Sequence, residues 1–254
     1  PTRPGQKLGR IEFRDVSFGY GGSAEPALKN ISFAAEPGKT TAIIGGTGSG
    51  KSTIVNLVAR FYDVDSGAVL VDGVDVREMA QDDLRSLLGL ATQRPILFSG
   101  TIADNLRFGR AEASAEQLGK AADTAQASAF IAEKEGGMDA PIAQGGVNVS
   151  GGQKQRLAIA RALAKRPRIY LFDDTFSALD FKTDARLRAA LRKDTADATV
   201  IIVAQRVGTI RDADQIIVLD DGRMVGRGRH ADLMKDCGVY REIVASQMSE
   251  EEAV

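Results

Sequence analysis

Gly45-Gly46-Thr47-Gly48-Ser49-Gly50-Lys51-Ser52-Thr53 fits, at each fixed position, the glycine-rich loop that cradles a chain of phosphates. Upstream, Thr41 to Ile44 reads as a short buried strand feeding the loop. Downstream, Lys51 to Phe61 carries Ile54, Leu57 and Val58 at helical spacing. A strand, a loop and a helix in that order present bare backbone N–H groups at the positive end of a helix dipole. Gly46, Gly48 and Gly50 allow the backbone to curl. Lys51 supplies a point charge to the β- and γ-phosphates, and the Ser52 hydroxyl is the expected Mg²⁺ ligand.

About a hundred residues further on, Ser150-Gly151-Gly152-Gln153-Lys154-Gln155-Arg156 opens a basic helix. A hydroxyl and bare N–H groups at a helix start form a second anion site. One phosphate loop already serves one nucleotide, so the spare site is expected to serve a nucleotide held by another subunit. The pairing of these two motifs resembles the nucleotide-binding domain of an ABC (ATP-binding cassette) transporter.

Working outward, Ile11 to Phe18 alternates as a strand, and Val69 to Val71 runs into the turn signal Asp72-Gly73. From about Gln93 to Ala164 the pattern changes to alanine-rich helices without a convincing strand, which suggests an inserted helical subdomain. The α/β rhythm returns with strand Ile169–Phe172, helix Phe181–Arg192, and strands Thr199–Val203 and Gln215–Leu219. That alternation implies a mostly parallel sheet with its ligand at the strands' C-terminal ends. The expected fold class is α/β. The resemblance implies a P-loop NTPase (RecA-like) core with a small antiparallel β part and the helical insertion, the ABC ATPase fold.

The 254 residues suit one large domain of ordinary globular composition, with 43% hydrophobic and 26% charged residues. A net charge of -1 argues against non-specific binding to nucleic acid or to an anionic bilayer. The single cysteine, Cys237, excludes an internal disulfide and suits a reducing compartment. No apolar run approaches the roughly 20 residues of a membrane span. Residues 1–10 open on Pro-Thr-Arg-Pro and read as a linker from a membrane domain, and 240–254 as a C-terminal tail. The expectation is a soluble domain on the cytoplasmic side of a longer transporter.

The resemblance runs from Phe13 to about Glu242 and assigns further residues. Ile169 to Phe172 ends in Asp173, which the resemblance makes a Mg²⁺-positioning carboxylate. Gln93 falls where the family places a glutamine that senses the γ-phosphate and Mg²⁺. Tyr20 falls where an aromatic stacks on adenine. Ser177-Ala178-Leu179-Asp180 matches the D-loop that crosses the family's dimer interface. Arg60-Phe61-Tyr62-Asp63, Leu97 to Ile102 and Asn105 to Gly109 resemble exporter-type proteins, whose ATPase domain follows the membrane domain on one polypeptide.

Two catalytic positions depart from the family together. Asp174 stands where a Glu normally polarises the attacking water, and Gln205 where a His contacts the γ-phosphate. The only histidine, His230, cannot fill that role by position and reads as a helix-start residue; Cys237 reads as structural. Val149 replaces the usual Leu before the signature, and Ala143-Gln144-Gly145-Gly146 replaces Gly-Glu-Arg-Gly. An intact signature at Ser150–Gln153 beside an altered catalytic pair implies the degenerate half of a heterodimer. Such a chain binds ATP and Mg²⁺ and completes a partner's competent site. The alternatives are a slow homodimeric exporter ATPase and a soluble ABC ATPase outside transport.

Overall fold

Ile169–Phe172, Thr199–Val203 and Gln215–Leu219 are apolar at nearly every position, so each strand needs cover on both faces. In the computed structural model, which describes residues 8–251, these strands lie in a six-stranded sheet. Its order is Arg223–Gly228, Gln215–Asp220, Thr40–Gly45, Thr199–Val203, Ile169–Asp173, Leu88–Ala91. The last five run parallel, and Arg223–Gly228 pairs antiparallel at the edge. Side chains alternate between two cores, as the two-residue period of a strand requires. Ile43, Leu171, Ile201 and Ile217 enter one, while Ile44, Phe172, Ile202 and Val218 enter the other.

The first core is closed by helix Lys51–Val58 and a four-stranded antiparallel sheet, in the order Leu28–Ala35, Ile11–Phe18, Ser66–Val71, Val74–Asp75. Phe13 and Phe33 sit opposite each other there and stack at 4.8 Å. The second core lies under helices Ile102–Arg107, Ala115–Thr124, Gly151–Lys165 and Phe181–Asp194.

Several local readings are corrected. The helix expected to reach Phe61 stops at Val58, because Arg60 turns left-handed at φ 52°. The alanine-rich stretch does contain strand: Gly100–Thr101 pairs with Pro141–Ile142, too short a ladder to leave a period. Leu28–Ala35 is a further strand whose alternation Asn30, at φ 52°, interrupts. The segment from 240 is helical as part of Gly238–Glu251, with Tyr240 fully buried and Val244 buried. Of the segment expected to be a linker, residues 1–7 lie outside the described residues. Its end is pinned, since Gly9 and Arg10 both donate N–H bonds to Asp72 Oδ1, at 2.8 and 2.9 Å. Among the described residues no helix is long and apolar enough to cross a membrane.

The parallel strands all point the same way, so Gly45, Asp173 and Val203 finish along one edge of the sheet. Loops leaving that edge build the site.

Candidate nucleotide site

Two glycines of the phosphate loop are required by packing. A Cβ at Gly45 would fall 2.3 Å from the Leu219 carbonyl, and one at Gly50, where φ is 101°, 2.7 Å from the Ala27 carbonyl. Gly46 and Gly48 instead border open space. The Lys51 ammonium is buried and donates to the carbonyls of Gly45 and Gly46 at 2.7 and 2.8 Å. Burial lowers its pKa, and the carboxylates of Asp174 and Asp173 oppose that shift. Ser49 Oγ is buried with no hydrogen-bond partner, the one such side-chain atom among the described residues.

Asp173 closes its strand and accepts the Ser52 hydroxyl at 3.1 Å. Asp174 follows at φ 50°, a left-handed conformation uncommon outside Gly, Asn, Asp and His. Its N–H donates to the Val203 carbonyl at 2.8 Å, and its Oδ2 accepts from Gln93 Nε2 at 3.0 Å. Burial raises both carboxyl pKa values, that of Asp174 further through the charge of Asp173, with Lys51 pulling the other way. Gln205 is exposed, two residues past Val203.

These groups face one cleft of about 570 Å³. Tyr20, Thr47 to Thr53, Gln93, Asp173, Asp174 and Gln205 all line it. Tyr20 is anchored rather than free: its hydroxyl lies 3.0 Å from Thr53 Oγ1 and accepts from Asn56 at 3.0 Å. Its ring meets Phe18 and Tyr62 edge-on at 4.9 and 5.0 Å.

Ser150 to Gln153 do not line that cleft. Ser150 caps helix Gly151–Lys165, accepting from Gln153 N–H at 3.2 Å, while Gln153 Oε1 accepts from Ser150 N–H at 3.1 Å. This capping box fixes the helix start. Gly151 is exposed, and a Cβ there would meet nothing within 4 Å, whereas one at Gly152 would stand 3.2 Å from the Ala178 carbonyl. The D-loop is thus packed against the signature helix. Its Ser177 hydroxyl donates to the Asp174 carbonyl at 3.0 Å, Leu179 is buried, and Asp180 caps helix Phe181–Asp194.

Two organising residues escaped the sequence reading. Gln155, buried, accepts from Ala178 N–H at 3.1 Å and donates to the Gln93 carbonyl at 3.3 Å, joining signature helix, D-loop and Gln93 loop. A polar residue in helical register with Ala158, Ile159 and Ala162 was the available signal. Arg206 Nη2 lies 2.9, 2.7 and 3.1 Å from the carbonyl oxygens of Phe176, Ser177 and Leu179, with its guanidinium over the Phe181 ring. No pattern in the sequence marks it. His230 begins helix His230–Asp236 and bonds the Tyr240 hydroxyl at 2.8 Å, and Cys237 is a buried free thiol.

The residues present fit a magnesium nucleotide. Ser52 and Asp173 offer adjacent oxygens of the kind Mg²⁺ takes beside phosphate oxygens. The orphaned Ser49 hydroxyl adds a polar group inside the same loop.

Residues 28–177 match a family model described as ABC transporter. An uncharacterised ABC transporter ATP-binding protein of Mycobacterium tuberculosis is 51% identical over 242 residues, covering 94% of this chain and 41% of that protein. An ATP-dependent lipid A-core flippase of Escherichia coli is 43% identical over 243 residues, covering 95% and 42%. The solved structure of a bacterial Atm1-family ABC exporter with ATP bound matches with a TM-score of 0.90 at 40% identity, over 94% of this chain and 42% of that one. The chain spans less than half the length of each.

Proposed function

The chain belongs to the ABC transporter family and has the ABC ATPase fold, and we propose that it is the cytoplasmic ATP-binding domain of an exporter-type transporter, carrying the slow half of a heterodimer. The coarse part of this reading is supported by the relatives, which include a protein named as a flippase and a structure titled as an ABC exporter with ATP bound. The membrane domain would lie on the same polypeptide, and a second nucleotide-binding domain would dock head to tail.

In the bound state Lys51 would exchange its two loop carbonyls for oxygens of the β- and γ-phosphates, and Tyr20 would stack on adenine. Ser52, Asp173 and Gln93 would hold Mg²⁺ together with the phosphates, and the ion would offset their charge. Phosphoryl transfer to water depends on positioning and charge stabilisation more than on covalent chemistry of the protein. Residue 174 therefore decides the rate by where its carboxylate sits.

The observation that carries the finer reading is the pair Asp174 and Gln205 lining one cleft with an otherwise complete phosphate cradle. Asp174 is one methylene shorter than the family's Glu, about 1.5 Å, and Gln93 holds its carboxylate at 3.0 Å. A displacement near 1 Å costs about a hundredfold in rate. Gln205 can hydrogen-bond a phosphate but cannot carry a positive charge or relay a proton. Nucleotide is then held and cleaved slowly here. Ser150 to Gln153 meanwhile serve the phosphate loop of a partner that retains Glu and His.

A Mg-ATP titration of wild type and Lys51→Ala tests the binding site, with affinity falling strongly in the variant; equal binding would refute it. Single-turnover hydrolysis of bound ATP tests the slow site, and brisk cleavage by the unmodified chain would favour a homodimer instead.

A further inference from the structure

Gln205 is gripped from behind the cleft by a helix that contributes nothing to the cleft itself. Gln247, on helix Gly238–Glu251, donates from Nε2 to the Gln205 carbonyl at 2.6 Å. The same amide accepts the Val207 N–H through Oε1 at 2.8 Å. Val207 opens the short helix Val207–Ile210, whose preceding residue, Arg206, offers no side-chain cap. One side chain thus satisfies a peptide carbonyl and a helix-start N–H two residues apart. The amide supplies the donor from one atom and the acceptor from the other, which also fixes its orientation.

The grip is backed by rigid anchors. Tyr240 and Val244 are buried on the same helix, and Tyr240 is bonded to His230. Between the two bonded peptides, Arg206 reaches the other way and holds three carbonyls of the Phe176–Leu179 loop. The backbone of 205–207 is therefore clamped on both sides, while the Gln205 side chain stays exposed toward the cleft.

We infer that Gln247 is a positioning residue that fixes Gln205 for the terminal phosphate of a bound nucleoside triphosphate. The inference rests on the reading of Gln205 as the group that meets the γ-phosphate. It makes the C-terminal helix part of the device that distinguishes a triphosphate from a diphosphate.

The test compares affinity for a non-hydrolysable ATP analogue with affinity for ADP, in the 254-residue chain and in Gln205→Ala, Gln247→Leu and the double variant. Gln205→Ala should weaken the analogue and leave ADP unchanged. Gln247→Leu should do the same, by about threefold to tenfold, the range of one or two hydrogen bonds. The double variant should be no weaker than Gln205→Ala alone, because the two act as one unit. If Gln205→Ala changes the analogue-to-ADP ratio and Gln247→Leu does not, the positioning role is wrong. If Gln247→Leu weakens analogue and ADP equally, its role is general packing and the inference is overturned. If Gln205→Ala itself leaves the ratio unchanged, the underlying reading of Gln205 fails and takes this one with it.

Discussion

Replacing Gly151 with Leu should stabilise the isolated chain while silencing the assembled transporter. Gly151 is the first residue of helix Gly151–Lys165, is exposed, and offers a Cβ open space on every side within the chain. Nothing in the fold therefore requires glycine there. Removing glycine's freedom in the unfolded state at a compatible position gains about 0.4–1 kcal/mol. For a domain of this size that corresponds to a rise of about 1–4 °C in melting temperature. The adjacent Gly152 provides the contrast. Its Cβ would stand 3.2 Å from the Ala178 carbonyl, so Gly152→Ala must push the D-loop aside and should lower the melting temperature. Thermal melting of the purified chain reads both effects, and steady-state ATPase of the full-length complex reads the function. Loss of turnover in Gly151→Leu with a raised melting temperature would place the cause outside this chain's own fold, as the proposed contact with a partner's nucleotide requires. A destabilised Gly151→Leu, or one that turns over normally, would refute the reasoning.

Three further outcomes follow from the site. Asp174→Glu with Gln205→His should raise single-turnover hydrolysis by about a hundredfold, exceeding the product of the single effects; independent, multiplicative gains would show that the two do not form one catalytic unit. Asp174→Asn should raise the melting temperature at pH 7. Burial and Asp173 hold the Asp174 carboxyl above its ordinary range, so its ionisation destabilises the fold at neutral pH. That penalty fades as pH falls through the raised value toward the ordinary one, and the advantage of the variant should shrink with it in melts from pH 7 to 4. Gln155→Leu should cost about 1–3 kcal/mol in denaturant unfolding by stranding the Ala178 N–H, and Gln155→Glu, which keeps that acceptor, should recover part.

The central sheet was legible because its strands are apolar on both faces and its glycine-rich loop tolerates almost no substitution at Gly45 and Gly50. Asp173 was legible because it ends such a strand. The antiparallel sheet was only half read. Asn30 sits at positive φ and breaks the alternation that Leu28–Ala35 would otherwise show. Gln155, Arg206 and Gln247 were invisible in their roles because each bonds to backbone groups far away in the chain. The Gln247 contact spans 42 residues and the Gln155 contact to the Gln93 loop 62. A backbone carbonyl or N–H has no identity in the sequence, so no residue pattern records its partner. Ser150 was read for its anion chemistry, and its bond to Gln153 shows the same hydroxyl shaping the helix end.

The two carbonyls that hold Lys51 would change what nucleotide capture consists of if Lys51 meets the phosphates as proposed. An ammonium that folding has already stripped of much of its water, and steadied with two neutral acceptors, would meet an incoming phosphate by swapping partners instead of shedding a hydration shell. The loop's own oxygens are weaker rivals for the ammonium than a phosphate would be, because a carbonyl is neutral and a phosphate oxygen adds the attraction of a full negative charge. Recognition at this position would then be a competition between internal and external acceptors, biased from the start toward whichever arrives carrying negative charge.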